Sequence, residues 1–190
     1  MGGDPGDVRG RALAPQERPV PRYVALLRGV SPMNARMPEL KACFEQMGFG
    51  DVGTVLSSGN VVFNSARKAE PQLAKAIESG MGRYLPRSFA VIVRSRDHLA
   101  ALLEADPYAA FHLTPKEKRV VTFLGQPCRE PPPLPIELDG ARILAVKSDE
   151  VFSAYAAGER GPVFMTLIEK TFGKNVTTRT WDTDRKCVAA

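Results

Sequence analysis

Three short stretches hold the residues best suited to chemistry: "LLRGVSPMNARM" around Arg28, "LSSGN" around Ser58, and "TTRTW" around Arg179. The guanidinium of arginine is a planar fork that matches the oxygens of a phosphate or carboxylate. Asparagine and serine add neutral donors, and glycine lets the backbone turn sharply or approach a ligand closely. A polar loop that runs into a helix adds free backbone N–H groups and the positive end of the helix dipole. Taken together, these residue types point to recognition of an anion.

Acid-base or nucleophilic catalysis has weaker support. The motifs GxxxxGK[ST], GxGxxG, HExxH and GxSxG are all missing, which removes the main sequence support for nucleotide, dinucleotide, zinc-protease and hydrolase chemistry. Ser57 and Ser58 sit in a turn, where hydroxyls usually bond the backbone. Only His98 and His112 are available as bases. No catalytic residue is assigned on this reading. Cys43, Cys128 and Cys187 lie far apart with no CxxC pair, so they read as reduced thiols, and no metal site or cofactor is expected. Cys43 falls on the apolar face of a helical segment and reads as core filling.

The elements that must position the candidate residues are legible from periodicity. "RYVALLRG" reads as a buried strand, and "MPELKACFEQMG" as a helix with Pro38 in its first turn and Gly48 past its end. "VGTVL" and "NVVFNS" form a strand pair turned at Ser57-Ser58-Gly59. A second helix covers 70–84, and the strand "FAVIVR" follows. The order βαββαβ is that of the α/β plait. After residue 94 the pattern is less regular. Ser95 caps a helix, "RVVTFL", "ARILAV" and "VFSAYA" are strand candidates, and "GPVFMTLIEKTFG" is a helix bracketed by Pro162 and Gly173. Asp182 is the candidate cap of a short last helix. The proline-rich "GQPCREPPPLPIEL" reads as an extended loop.

The expected fold is therefore α+β: two α/β-plait (ferredoxin-like) subdomains packed together, each covering the other's bare sheet face. Residues 1–20, rich in Gly, Arg and Pro, read as a disordered tail. Residues 21–94 form the first subdomain and 95–190 the second, although the strand near 88–93 fits either one.

This topology brings the chemistry together. In βαββαβ the first two strands are parallel, with the third antiparallel between them, so their C-terminal ends share one edge. Arg28, Gly29, Asn34, Arg36, Ser58, Gly59 and Asn60 emerge there, together with the start of the 38–47 helix. Arg179 and Trp181 are placed to close this edge from the second subdomain, giving one polar pocket for a small anionic ligand. The alternative stays open that Arg28 pairs with a helix carboxylate and that Trp181 pins the C-terminal segment to the core.

"RYVALLRGV", "MPELKACFEQMGF", "DVGTVLSSGNVVF", "FAVIVRS", "EADPY" and "TTRTWDT", in this order, resemble the bacterial family called domain of unknown function 1697. The resemblance spans about residues 22–185. It implies two α/β-plait-like subdomains and a group of typical residues, Arg28, Gly29, Ser58, Gly59, Asn60, Pro107, Thr178, Arg179 and Trp181. It implies no activity. The chain departs from the family in "VSPMNARM", shorter than the usual glycine- and asparagine-rich loop. There Pro32 removes an N–H that a phosphate cradle would use, and Asn34 and Arg36 are the candidates to compensate.

Composition bounds the partners. Of 190 residues, 44% are hydrophobic and 25% charged, as in an ordinary soluble domain. No apolar run approaches the roughly 18 residues that cross a bilayer, and the N-terminal segment has no apolar signal core, so a cytoplasmic protein without a membrane partner is expected. The net charge of +5 would suit nucleic acid, but the surplus is spread thinly. The plait's central strands also offer only Tyr23 and Phe63 for base stacking. Nucleic-acid binding and a protein-interaction role are the alternatives to the anionic ligand, and oligomeric state is left open.

Overall fold

The computed structural model describes residues 19–66, 69–156 and 163–190. The tail expected over residues 1–20 lies outside them up to residue 18, as does Pro162. The elements run in the order β1 (Arg22–Leu27), α1 (Met37–Gln46), β2 (Gly50–Val55), β3 (Asn60–Asn64), α2 (Glu70–Tyr84), β4 (Val91–Ser95), α3 (Arg96–Ala105), β5 (Glu117–Leu124), β6 (Ile136–Leu138), β7 (Ala141–Lys147), β8 (Glu150–Ala156), α4 (Val163–Phe172), β9 (Val176–Thr180) and α5 (Trp181–Ala189). The architecture is α+β, with two antiparallel sheets ordered β2-β3-β1-β4 and β6-β7-β8-β5-β9.

The first sheet is the arrangement that βαββαβ produces when each helix carries the chain across one intervening strand. β1 pairs with β3 on one side and β4 on the other, both antiparallel. The strand near 88–93 thus closes the first sheet. In the second sheet no helix separates β5 from β6. β6, β7 and β8 form a meander, and α4 crosses from β8 over β5 to β9. Among the described residues, five helices and two sheets are therefore present without the same element order in both halves.

Three apolar clusters hold these elements in layers, and strand alternation distributes the residues among them. Tyr23, Ala25 and Leu27 of β1 face α1 and α2, together with Leu40, Phe44, Leu73 and Ile77. Val24 and Leu26 face the other way and meet Val121, Phe123, Phe152 and Ala154 of the second sheet, with Leu99 of α3 and Cys187 of α5 at the margin. Beyond the second sheet, Val120 and Val151 pack under Phe164, Leu167 and Ile168 of α4. β1 is buried on both faces, which is why "YVALL" is an unbroken apolar run. Each fully buried large side chain contributes roughly 1.5–3 kcal/mol, so the sheet-to-sheet layer is a large part of what joins the halves.

Candidate functional site

Arg28 directly follows β1, and its amide continues the ladder by donating to the Ala90 carbonyl at 2.9 Å. It follows Leu26 in the alternation, so its side chain leaves the sheet on the side of the second half. There Nη1 donates to the Val176 carbonyl at 3.0 Å and to that of Lys174, while Nη2 pairs with Glu169 of α4. Both members of this pair are partly exposed, at 29% and 31%. Arg28 therefore has a helix carboxylate as its partner, and its Nε engages no acceptor among the described residues.

Around it the loop is pinned from within. Asn34 Oδ1 accepts from the Ser31 amide at 2.9 Å, and Asn34 Nδ2 donates to the Gly29 carbonyl at 2.8 Å. Gly29 takes φ +74°. Arg36 is exposed and stands at the N-cap of α1 without a side-chain cap bond, so the first amides of that helix have no side-chain acceptor there.

The Ser58–Asn60 turn is drawn inward. Asn60 is fully buried; its Nδ2 donates to the Val55 carbonyl at 2.9 Å and to Ser58 Oγ at 3.1 Å. Gly59, at φ +77°, lies so close to Val30 that a Cβ would stand 2.7 Å from the valine Cβ. Arg179 enters from β9. Its Nε donates to Asn60 Oδ1, its Nη1 to Thr177 Oγ1 at 2.9 Å and the Thr178 carbonyl at 2.8 Å, and its Nη2 to the carbonyls of Leu27 at 2.7 Å, Ser58 at 3.2 Å and Gly59 at 3.3 Å. Arg179 is thus a buried latch between the halves, with every nitrogen of its guanidinium engaged. Burial lowers its pKa to about 10, opposed by Asp184 and Cys187, and the group remains charged at neutral pH.

The nine candidate residues divide accordingly. Ser58, Gly59, Asn60 and Arg179 are joined by direct hydrogen bonds and Asn34 bonds the Gly29 carbonyl, whereas the Arg28 side chain bonds only Glu169, Lys174 and Val176, and Arg36 stands on the same loop. Trp181 goes elsewhere: its ring meets Tyr108 edge-on at 5.2 Å, and Arg119 lies 5.5 Å above it, between α3 and α5. Thr180, not Asp182, caps α5, accepting from the Thr183 amide at 3.3 Å.

Four features had no clear signal in the sequence. Glu169 and Lys174 flank Arg28, but nothing in a helix carboxylate marks its partner 141 residues away. A second buried arginine, Arg94, bonds Glu150 at 2.9 Å and Asp149 at 2.7 Å, and His98 Nε2 lies 3.0 Å from the same Glu150. The Glu150 hydrogen bond raises the His98 pKa above its ordinary value. Burial alone would raise Glu150, but its hydrogen bonds from His98 and Arg94 bring it below the usual range. Asp184 is fully buried, with neither carboxylate oxygen hydrogen-bonded, and burial pushes its pKa up to about 8 against the pull of Arg179. Fourth, three arginines gather beside Trp181.

Chemically, the edge carries guanidinium groups and neutral hydrogen-bond donors, and among the described residues no nucleophile there has a base in reach. Ser58 Oγ accepts from Asn60, and His98 is committed to Glu150. Burial pushes the Cys187 thiol up to about 12 and also raises Cys43, which keeps both unreactive. Tyr23 and Phe63 stack on each other at 5.8 Å under α1 and α2, facing away from solvent. No described helix is long and apolar enough to cross a membrane.

A family model described as "Protein of unknown function (DUF1697)" matches residues 20–150. Among solved structures, the conserved bacterial protein SP0830 from Streptococcus pneumoniae is similar in fold. The TM-score is 0.66 at 21% identity, over 90% of this chain and 97% of that one. The comparison with curated proteins gave no significant match.

Proposed function

Because the chain belongs to the DUF1697 family, a description that carries no activity, we propose its function from the edge itself: binding of a small, phosphate-bearing anion where the two halves meet. The observation that supports this reading is the set of donors still open there. Arg28 keeps Nε and one Nη2 hydrogen, Arg36 and Lys174 are exposed, exposed Ser58 uses its Oγ only as an acceptor from Asn60, and the first turn of α1 has no side-chain cap. Asn34, Asn60 and Arg179 act behind them, fixing the loop and the turn so that these donors are held in place before the ligand arrives. The same reading divides the chain at residues 94 and 95 into two plait-like subdomains, with the ligand at their shared edge.

Calorimetric titration with inorganic phosphate at low ionic strength tests the proposal. Saturable binding is expected, and Arg36→Ala should weaken it at least tenfold while leaving the urea midpoint unchanged, since exposed Arg36 has no protein partner among the described residues. Arg28→Ala should also abolish binding, but at a cost of about 1–3 kcal/mol, because it leaves Glu169 and two carbonyls without their donor. Phosphate binding that survives both substitutions, or no binding by the parent, would overturn the reading.

A further inference from the structure

The arginines that build the fold are occupied. Arg22, Arg28, Arg94, Arg142 and Arg179 each donate to several carbonyl or carboxylate oxygens. Among those with few partners, three line one cleft of about 630 Å³ between α3 and α5. Arg96 has a single bond, from Nε to the Val188 carbonyl at 2.8 Å. The Arg119 side chain makes no hydrogen bond among the described residues and has one long ion pair, to Asp106 at 3.7 Å. Arg185 is exposed and has no hydrogen bond or ion pair there. Three guanidinium groups in one depression repel one another unless something anionic joins them.

One of the three is held ready. The Arg119 guanidinium lies 5.8 Å from the Tyr108 ring centre and 5.5 Å from that of Trp181, whose rings meet edge-on. Such stacking orients the plane of the fork without using its N–H donors. Leu103, Val188 and Ala189 add apolar wall, and Glu104 and Asp106 add the two carboxylates of the cleft. Those carboxylates offset part of the charge and disfavour indiscriminate anion capture. The volume is that of a small-molecule site.

We propose that the α3–α5 cleft is a second ligand site, separate from the Arg28 edge, which takes a small organic molecule bearing an oxyanion against Arg96, Arg119 and Arg185. The oxyanion meets the stacked Arg119 fork, Arg185 closes over it, and the organic body lies on Leu103 and Val188. The matching chemistry is common to phosphate esters and carboxylates, and the two are separated by titrating glycerol phosphate and citrate in parallel.

Trp181 is the only tryptophan of the chain, so its fluorescence reports on this cleft. At constant ionic strength set with chloride, the intact protein should show a saturable change in Trp181 emission with at least one of the two probes. Arg185→Ala should weaken it at least tenfold, and Arg119→Gln should abolish it. Urea melts verify that each variant is folded. Arg36→Ala should leave the signal unchanged even though it weakens phosphate binding at the Arg28 edge, so the two sites fail independently. No change with either probe, a change matched by chloride alone, or a signal that survives Arg185→Ala in a folded protein would overturn the proposal.

Discussion

Asp184 is buried at a cost to the fold. A buried carboxyl with neither oxygen bonded forfeits its hydration without compensation, on the order of 1–3 kcal/mol. The groups facing it are Arg179 on β9, Cys187 one turn along α5, and Tyr108. Its folded pKa of about 8 lies above the unfolded value of about 3.9, so between these limits the folded protein binds a proton that the unfolded chain does not. Stability from this group is therefore highest below about pH 4 and falls as pH rises toward 8. Asp184→Asn should differ least from the parent near pH 5 and become progressively the more stable of the two as pH rises to 8, gaining up to about 1.4 kcal/mol per pH unit in that window. Thermal melts of both proteins across pH 5–9 check this. Parallel curves, or a variant less stable at pH 9, would show that Asp184 is ionised and paired in solution.

At the scale of elements, the β2–β3 turn and the loop after β1 are interlocked through glycines that differ in surroundings. Gly29 and Gly59 both have positive φ, but a Cβ on Gly29 meets nothing within 4 Å, whereas on Gly59 it strikes Val30 and lies 3.1 Å from the Leu27 Cβ. Gly29→Ala should cost only the backbone strain, about 1–2 kcal/mol. Gly59→Ala adds a steric clash and should cost about 1–3 kcal/mol more. Equal losses in urea titrations would mean that the turn can move away from Val30.

The same elements show what could be read from sequence. β1, α1 and α2 were legible because their apolar residues repeat with one period and end at glycine or proline, and the shared edge followed from strand direction. β9 was not: "VTTRT" has no apolar run, because its buried arginine is satisfied by carbonyls of the other half rather than by packing. β6 was concealed in a proline-rich segment that looks like loop throughout. The Arg28–Glu169 and Arg94–Glu150 pairs each join residues far apart in the chain, and composition says nothing of which charges meet. Trp181 follows the second of the two readings left open for it, in the core rather than at the edge. Adjacency to Arg179 suggested a common pocket, but α5 begins at Trp181 and turns its ring toward α3.

Over the whole molecule, the halves are joined twice: by the apolar layer between the sheets and by the Arg28 and Arg179 latches at one edge. Arg179 reaches three carbonyls and Asn60 in the first half, and Arg28 reaches Glu169 and two carbonyls in the second. The crossed pair sets the spacing of the edge and leaves the outer donors of Arg28, Arg36, Ser58 and Lys174 toward solvent. The most direct measurement of anion binding there is a phosphate titration of the isotope-labelled protein followed by backbone amide NMR. Phosphate binding at the edge predicts saturable shifts centred on residues 29–39, 57–59 and 173–175, absent from α2 and needing at least tenfold more phosphate in Arg36→Ala. Shifts that scale only with ionic strength, or that leave these three segments unmoved at saturating phosphate, would contradict it.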